Sequence, residues 1–118
     1  MDKKVLQEAL DTFGEHKQID KVIEESVELV QAVLKAREYQ EMHDGEYTPG
    51  LYHAIKTELA DVYVTAEYVK MVYNISEREL QEEIDFKVNR LKERIDEEKR
   101  KRDFSRRCTE FTLMNEIV

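Results

Sequence analysis

Apolar residues recur at three- and four-residue steps through most of the chain, the spacing that lines one face of a helix. Val5, Leu6, Leu10 and Phe13 predict a first helix from about Lys3 to Thr12, ended by Gly14. Ile19, Val22, Ile23, Val30, Val33 and Leu34 predict a second from about His16 to Arg37. Residues 38–50 contain Asp44-Gly45 and Thr48-Pro49-Gly50 and read as a loop. Thr48 suits an N-cap, with Pro49 in the first turn of a third helix. That helix carries Leu51, Ile55, Leu59, Val62, Ala66, Val69 and Tyr73 in a stripe, and Asn74-Ile75 breaks it. Ser76 with Glu79 three residues on has the form of a capping box. A fourth helix follows, with Leu80, Ile84, Val88, Leu91 and Ile95 on one side, continuing through a charged run to about Arg102. Residues 104–118 hold Phe111, Leu113, Met114, Ile117 and Val118 without a clear period. They are expected to pack on a partner chain or to be disordered. The pattern predicts an all-α fold: a helical domain over residues 1–103, a tail over 104–118, and a four-helix bundle completed by oligomerisation, because so small a bundle has little core.

Composition narrows this further. With 118 residues there is chain for one ordinary domain. Three Gly, one Pro and no Trp argue against a multi-turn all-β fold. A single cysteine, Cys108, cannot form an intrachain disulfide, which fits a reducing compartment. No apolar run reaches the ~18–20 residues of a membrane span, and Met1–Glu8 shows no leader-like apolar segment, so a cytoplasmic protein without membrane contact is expected. The net charge of -8 argues against nucleic acid as a partner. That charge is unevenly placed: residues 1–85 hold 9 basic and 20 acidic side chains, residues 86–118 hold 10 and 7.

The position of the acids says more than their number. Glu24, Glu25 and Glu28 crowd one turn of the second helix, with Glu25 and Glu28 neighbours at i,i+3. On the third helix, ~100° per residue from Leu51 at zero puts Ala54, Val62, Val69 and Val72 between about 300° and 20°. Glu58 falls near 340° and Asp61 near 280° on the same wheel. Both carboxylates thus lie along the apolar face or its edge, where an unpaired charge costs several kcal/mol unless something compensates it. Two such pairs on adjacent antiparallel helices can converge into an oxygen cage. Oxygen ligands without His or Cys favour Mg²⁺ or Mn²⁺ over Zn²⁺. A salt-bridge network with Lys87, Arg90 or Arg94, or a merely solvated acidic face, remains open.

A di-iron bundle needs Glu-x-x-His pairs. His16, His43 and His53 are preceded three residues earlier by Phe13, Gln40 and Gly50, so that motif is absent. Lys87, Arg90 and Arg94 share a face beside Leu91. A divalent cation together with Lys and Arg is the usual device for holding polyphosphate. Ion pairing with Glu83 and residues 96–98 accounts for the same bases equally well.

Glu24-Glu25-Ser26-Val27-Glu28 followed by Glu58-Leu59-Ala60-Asp61 resembles the EExxE…ExxD signature of the MazG-like nucleoside triphosphate pyrophosphohydrolases, members of the all-α NTP pyrophosphatase superfamily. Gly14–Gln18, ahead of the EExxE motif, and Lys87–Arg94, following the ExxD motif, also resemble the family, so the likeness covers roughly residues 5–96. The Glu28–Glu58 spacer is at the long end for the family, and the tail from about Lys99 has no counterpart in it. The resemblance implies Mg²⁺-dependent hydrolysis of an NTP or dNTP to the monophosphate and pyrophosphate by metal-activated water. It implies metal ligation by Glu25, Glu28, Glu58 and Asp61, with Mn²⁺ as a substitute, and a catalytic part for Glu24 and Glu25, Glu24 holding a second ion or orienting water. Lys87, Arg90 and Arg94 would contact the phosphates, and Gln18 and Lys21 would face the nucleotide. Short members of this kind occur in bacteria and their phages, and a homodimer or homotetramer is implied. Two alternatives stand beside it: a dUTP- or dCTP-specialised relative, and a non-catalytic helical interaction module whose carboxylates only form ion pairs.

Overall fold

The computed structural model describes residues 1–117; Val118 lies outside the described residues. All regular structure in them is helical: α1 Lys3–Phe13, α2 Glu15–Met42, α3 Pro49–Val72 and α4 Glu77–Ile117. The all-α class and the four helices agree with the sequence pattern. None of these helices is long and apolar enough to cross a membrane.

Local chemistry accounts for where most helices begin. The Asp2 carboxylate accepts from the backbone N–H groups of Lys4 and Val5 at the start of α1. Gly14, at φ 91°, ends α1 and starts α2 within a single residue, a conformation that L side chains rarely adopt. The Leu51 N–H donates to Thr48 Oγ1 at 3.1 Å, with Pro49 in the first turn of α3 as expected. The capping box of α4 forms in both directions: the Glu79 N–H donates to Ser76 Oγ at 3.1 Å, and the Ser76 N–H donates to Glu79 Oε2 at 3.0 Å. Donation to the Glu79 carboxylate, first from the Ser76 backbone N–H and then from Ser76 Oγ at 3.0 Å, holds the Glu79 carboxyl below its ordinary range.

Two helix ends differ from expectation. α2 runs to Met42 and not to Arg37, because residues 38–42 contain no breaker. It stops where Asp44 (φ 54°) and Gly45 (φ 82°) turn left-handed and the Gly45 N–H donates to the Gln40 carbonyl at 2.8 Å. The connection to α3 therefore shrinks to residues 43–48, with the His43 ring stacked on Tyr39 at 3.7 Å. α4 runs through the expected tail to Ile117. Residues 99–117 lack Gly and Pro. Ion pairs from Lys101 to Glu97 and from Arg102 to Glu98 brace the turns, as does donation from Thr109 Oγ1 to the Ser105 carbonyl. The segment expected to pack on a partner chain or to be disordered is thus helical through Ile117, continuous with α4.

The chain divides into two units at Ile75/Ser76. In the first, α2 and α3 form an antiparallel hairpin, and α1 covers one end of it. Leu6, Leu10 and Tyr68 make the buried core, with Ala9, Val22, Met71 and Val72 against it. Small side chains, Ala32 and Ala36, are buried where α2 approaches α3. The second unit is α4, where nearly every side chain is exposed and Leu80 alone of the described ones is half-buried.

Candidate carboxylate site

The core of the first unit gives way, halfway along the α2–α3 hairpin, to acid. Carboxylate oxygens of Glu25, Glu58 and Asp61 lie within 4.8 Å of one another, all three side chains half-buried. Glu28, one turn on from Glu25, stands beside these three but is exposed; its charge helps to raise both Glu25 and Glu58. The antiparallel arrangement explains the convergence: as α2 advances from Glu25 to Glu28, α3 recedes from Asp61 to Glu58. Each helix contributes an i,i+3 pair, which stays on one face.

The group is electrostatically uncomfortable. Oε2 of Glu25 and Oε2 of Glu58 are buried without a hydrogen-bond partner. Burial pushes the Glu25 carboxyl up to about 7, helped by hydrogen bonding to Glu28 and by the charges of Glu28, Asp61 and Glu58. Glu58 is raised for the same reasons, burial first, while a hydrogen bond from Glu25 works in the opposite direction. Without a cation, Glu25 and Glu58 thus hold their protons more tightly than ordinary carboxyls. No ion pair between described residues includes any of the four acids. Two neighbouring hydroxyls are already engaged: Thr65 Oγ1 donates to the Asp61 carbonyl at 2.9 Å and Ser26 Oγ to the Val22 carbonyl at 2.7 Å. Neither supplies the missing donor.

The residues present fit a hard divalent cation. The donor set is all oxygen, comes from two rigid helices, and includes two buried acceptors that nothing satisfies.

The other expected residues fall elsewhere. Glu24 is exposed and turned ~100° from Glu25, because adjacent helix positions point apart. The structure does not bring it into the cluster. Gln18 lies two turns before Glu25 and is only 3% exposed, whereas Lys21, one turn before Glu25, is exposed. Lys87, Arg90 and Arg94 belong to α4, in the second unit. There Lys87 Nζ sits 3.8 Å from Glu83 Oε1, both side chains well exposed.

Sequence reasoning passed over two residues beside the cluster. A groove of about 360 Å³ adjoins it, lined by Glu28, Gln31, Ala32, Lys35, Ala54 and Glu58. Gln31 and Lys35 share the face of Glu28 at i+3 and i+7, a spacing visible in the sequence. The alanines opposite each other, which leave the space, emerge only once α2 and α3 are paired. Compared with protein families, with curated proteins and with solved structures, the chain matches none of them.

Proposed function

We propose that this chain is a Mg²⁺-dependent nucleoside triphosphate pyrophosphohydrolase of the MazG-like, all-α kind, releasing the monophosphate and pyrophosphate. The observation that carries the reading is the cluster of Glu25, Glu58 and Asp61, with Glu28 beside it and two of its oxygens buried and unsatisfied. An ion-pairing module gives each acid a base, and these acids have none among the described residues. Glu25, Glu28, Glu58 and Asp61 hold the cation; Mn²⁺ offers the same hard chemistry. Once bound, it supplies Lewis-acid charge against the triphosphate and acidifies water at the site.

The chain's own groups do the rest. The rigid α2–α3 hairpin fixes the four carboxylates relative to one another, which orients whatever they hold. Lys21 lies on the face of Glu25 and draws the anionic substrate towards it. In this reading Lys87, Arg90 and Arg94 of α4 bind phosphate oxygens; Lys87 has only a loose, solvated hold on Glu83, and Arg90 and Arg94 enter no ion pair with a described residue. An exposed apolar stripe on α2 (Ile23, Val27, Val30 and Leu34) and another on α3 (Leu59 and Tyr63) support assembly into a homodimer or homotetramer.

The test is a panel of NTPs and dNTPs, including dUTP and dCTP, incubated with Mg²⁺ while pyrophosphate is followed. Release that needs Mg²⁺ and disappears in Glu58→Gln is the expected result. No release from any substrate by the wild-type chain overturns the reading.

A further inference from the structure

The α2 face that carries the carboxylates does not end with them. Lys21, Glu25, Glu28, Ala32 and Lys35 recur at steps of four, three, four and three, one continuous line along the helix. Beyond Glu28 and Glu58, the residues that meet across the hairpin are Ala32 and Ala54. Two methyl groups cannot fill the space that longer side chains close elsewhere, and the groove of about 360 Å³ opens there. Its floor is apolar and its rim is polar. Glu28 and Glu58 form the end shared with the carboxylate cluster, while Gln31 and Lys35 border the rest.

Lys35 is the one base among the lining residues. It enters no ion pair with any described residue, even though a carboxylate stands two turns away on its own face. Helical side chains lean towards the helix N-terminus, which for Lys35 is the direction of Gln31 and Glu28. The groove thus has acid at one end and an unneutralised ammonium at the other, with a carboxamide between them. A ligand complementary to it carries a cation at the first end and negative charge at the second. Polyphosphate with a divalent cation has that polarity, and lysine is a common point-charge partner for phosphate.

We propose that this groove is a phosphate subsite in which Lys35 Nζ and the Gln31 amide bind the oxygens of a phosphate adjacent to the one engaged at the carboxylate cluster. The subsite rests on the proposed Mg²⁺-dependent reaction. It assigns phosphate recognition to a base on α2 itself, independently of the bases of α4. Ala32 and Ala54 are the residues that keep it open.

The experiment titrates inorganic tripolyphosphate into the protein with Mg²⁺ present, and separately records the melting temperature with Mg²⁺ alone. In Lys35→Met, tripolyphosphate affinity falls about tenfold or more, as loss of a charge-assisted contact requires. The Mg²⁺-induced rise in melting temperature stays as in wild type, and Lys35→Arg retains most of the affinity. Ala54→Leu, which fills the groove from the α3 side, weakens tripolyphosphate binding without touching a charge. In turnover, Lys35→Met raises KM more than it lowers kcat. Unchanged tripolyphosphate affinity in Lys35→Met, with the Mg²⁺ effect intact, overturns the subsite and leaves the carboxylate reading standing. Absence of any Mg²⁺ effect in the wild-type chain overturns both.

Discussion

The α2–α3 hairpin and α4 are built from similar side chains and treat their acids in opposite ways. On α4, Glu82, Glu83, Glu97 and Glu98 each sit one turn from Arg78, Lys87, Lys101 and Arg102, in exposed pairs between 3.1 and 3.8 Å. Such pairs are worth little, and solvent would serve the same carboxylates almost as well. On the hairpin, Glu25, Glu58 and Asp61 are drawn together, half-removed from water, and left without a base, with the exposed Glu28 beside them. A helix that needs acid only for solvation interleaves it with base. A helix that gathers acid away from base is arranged for something positive that the chain does not itself provide. Local charge pattern is therefore a better guide to function here than total charge.

The sharpest way to break this contrast is to remove one carboxylate from each region. Asp61→Asn is expected to lower Mg²⁺-dependent hydrolysis by on the order of 10²-fold, a loss at least as large as disturbing a ligand's supporting shell brings. Its fold should survive, which circular dichroism checks. A change of less than about twofold in pyrophosphate release would place Asp61 among solvated surface acids like those of α4.

A smaller effect follows from titration. Glu25 releases its proton at about 7 in the folded chain, against an ordinary value of 4.5. The folded state holds that proton more tightly, so the contribution to stability is fully present below pH 4.5 and is lost as pH rises towards 7. Metal-free wild type should therefore lose melting temperature relative to Glu25→Gln across that interval, with a flat difference above it. Saturating Mg²⁺ should reverse the order, since it binds the carboxylate and not the amide; occupancy at 100 times Kd adds about 2.7 kcal/mol. Parallel pH profiles for the two proteins, without metal, would remove the basis for a strained cluster.

The smallest expected effect is on α4. Glu98→Ala deletes the partner of Arg102 and should change stability by less than about 0.5 kcal/mol in urea unfolding, in either direction. A larger loss would show that the α4 pairs hold structure, and the distinction between the two regions would blur.

Much of this architecture is legible in the residues because it is local. Thr48-Pro49, Gly14 and the Ser76–Glu79 box each act over three or four residues, and each forms as its side chains dictate. The orientation of Glu58 and Asp61 is legible too, since a helical wheel needs only the period. The ends of α2 and α4 are harder to place. Fading periodicity after Arg37 and Arg102 looks like an end, yet a helix continues until something breaks it, and nothing in residues 38–42 or 103–117 does. The groove beside Lys35 lies beyond local signals altogether. Ala32 and Ala54 are unremarkable until the hairpin sets them opposite each other, and that pairing is a tertiary fact.

The short connection over residues 43–48 also governs how this sequence can change length. Residues added there extend a surface loop, cost little in closure entropy, and leave every carboxylate where it is. A single residue inserted between Glu25 and Glu28, or between Glu58 and Asp61, turns one member of the pair ~100° from the other and moves it ~1.5 Å along the axis. Insertions and deletions should thus be tolerated in the hairpin's turn and excluded from its arms. A library of one-residue insertions would trace the outline of the site as a gap.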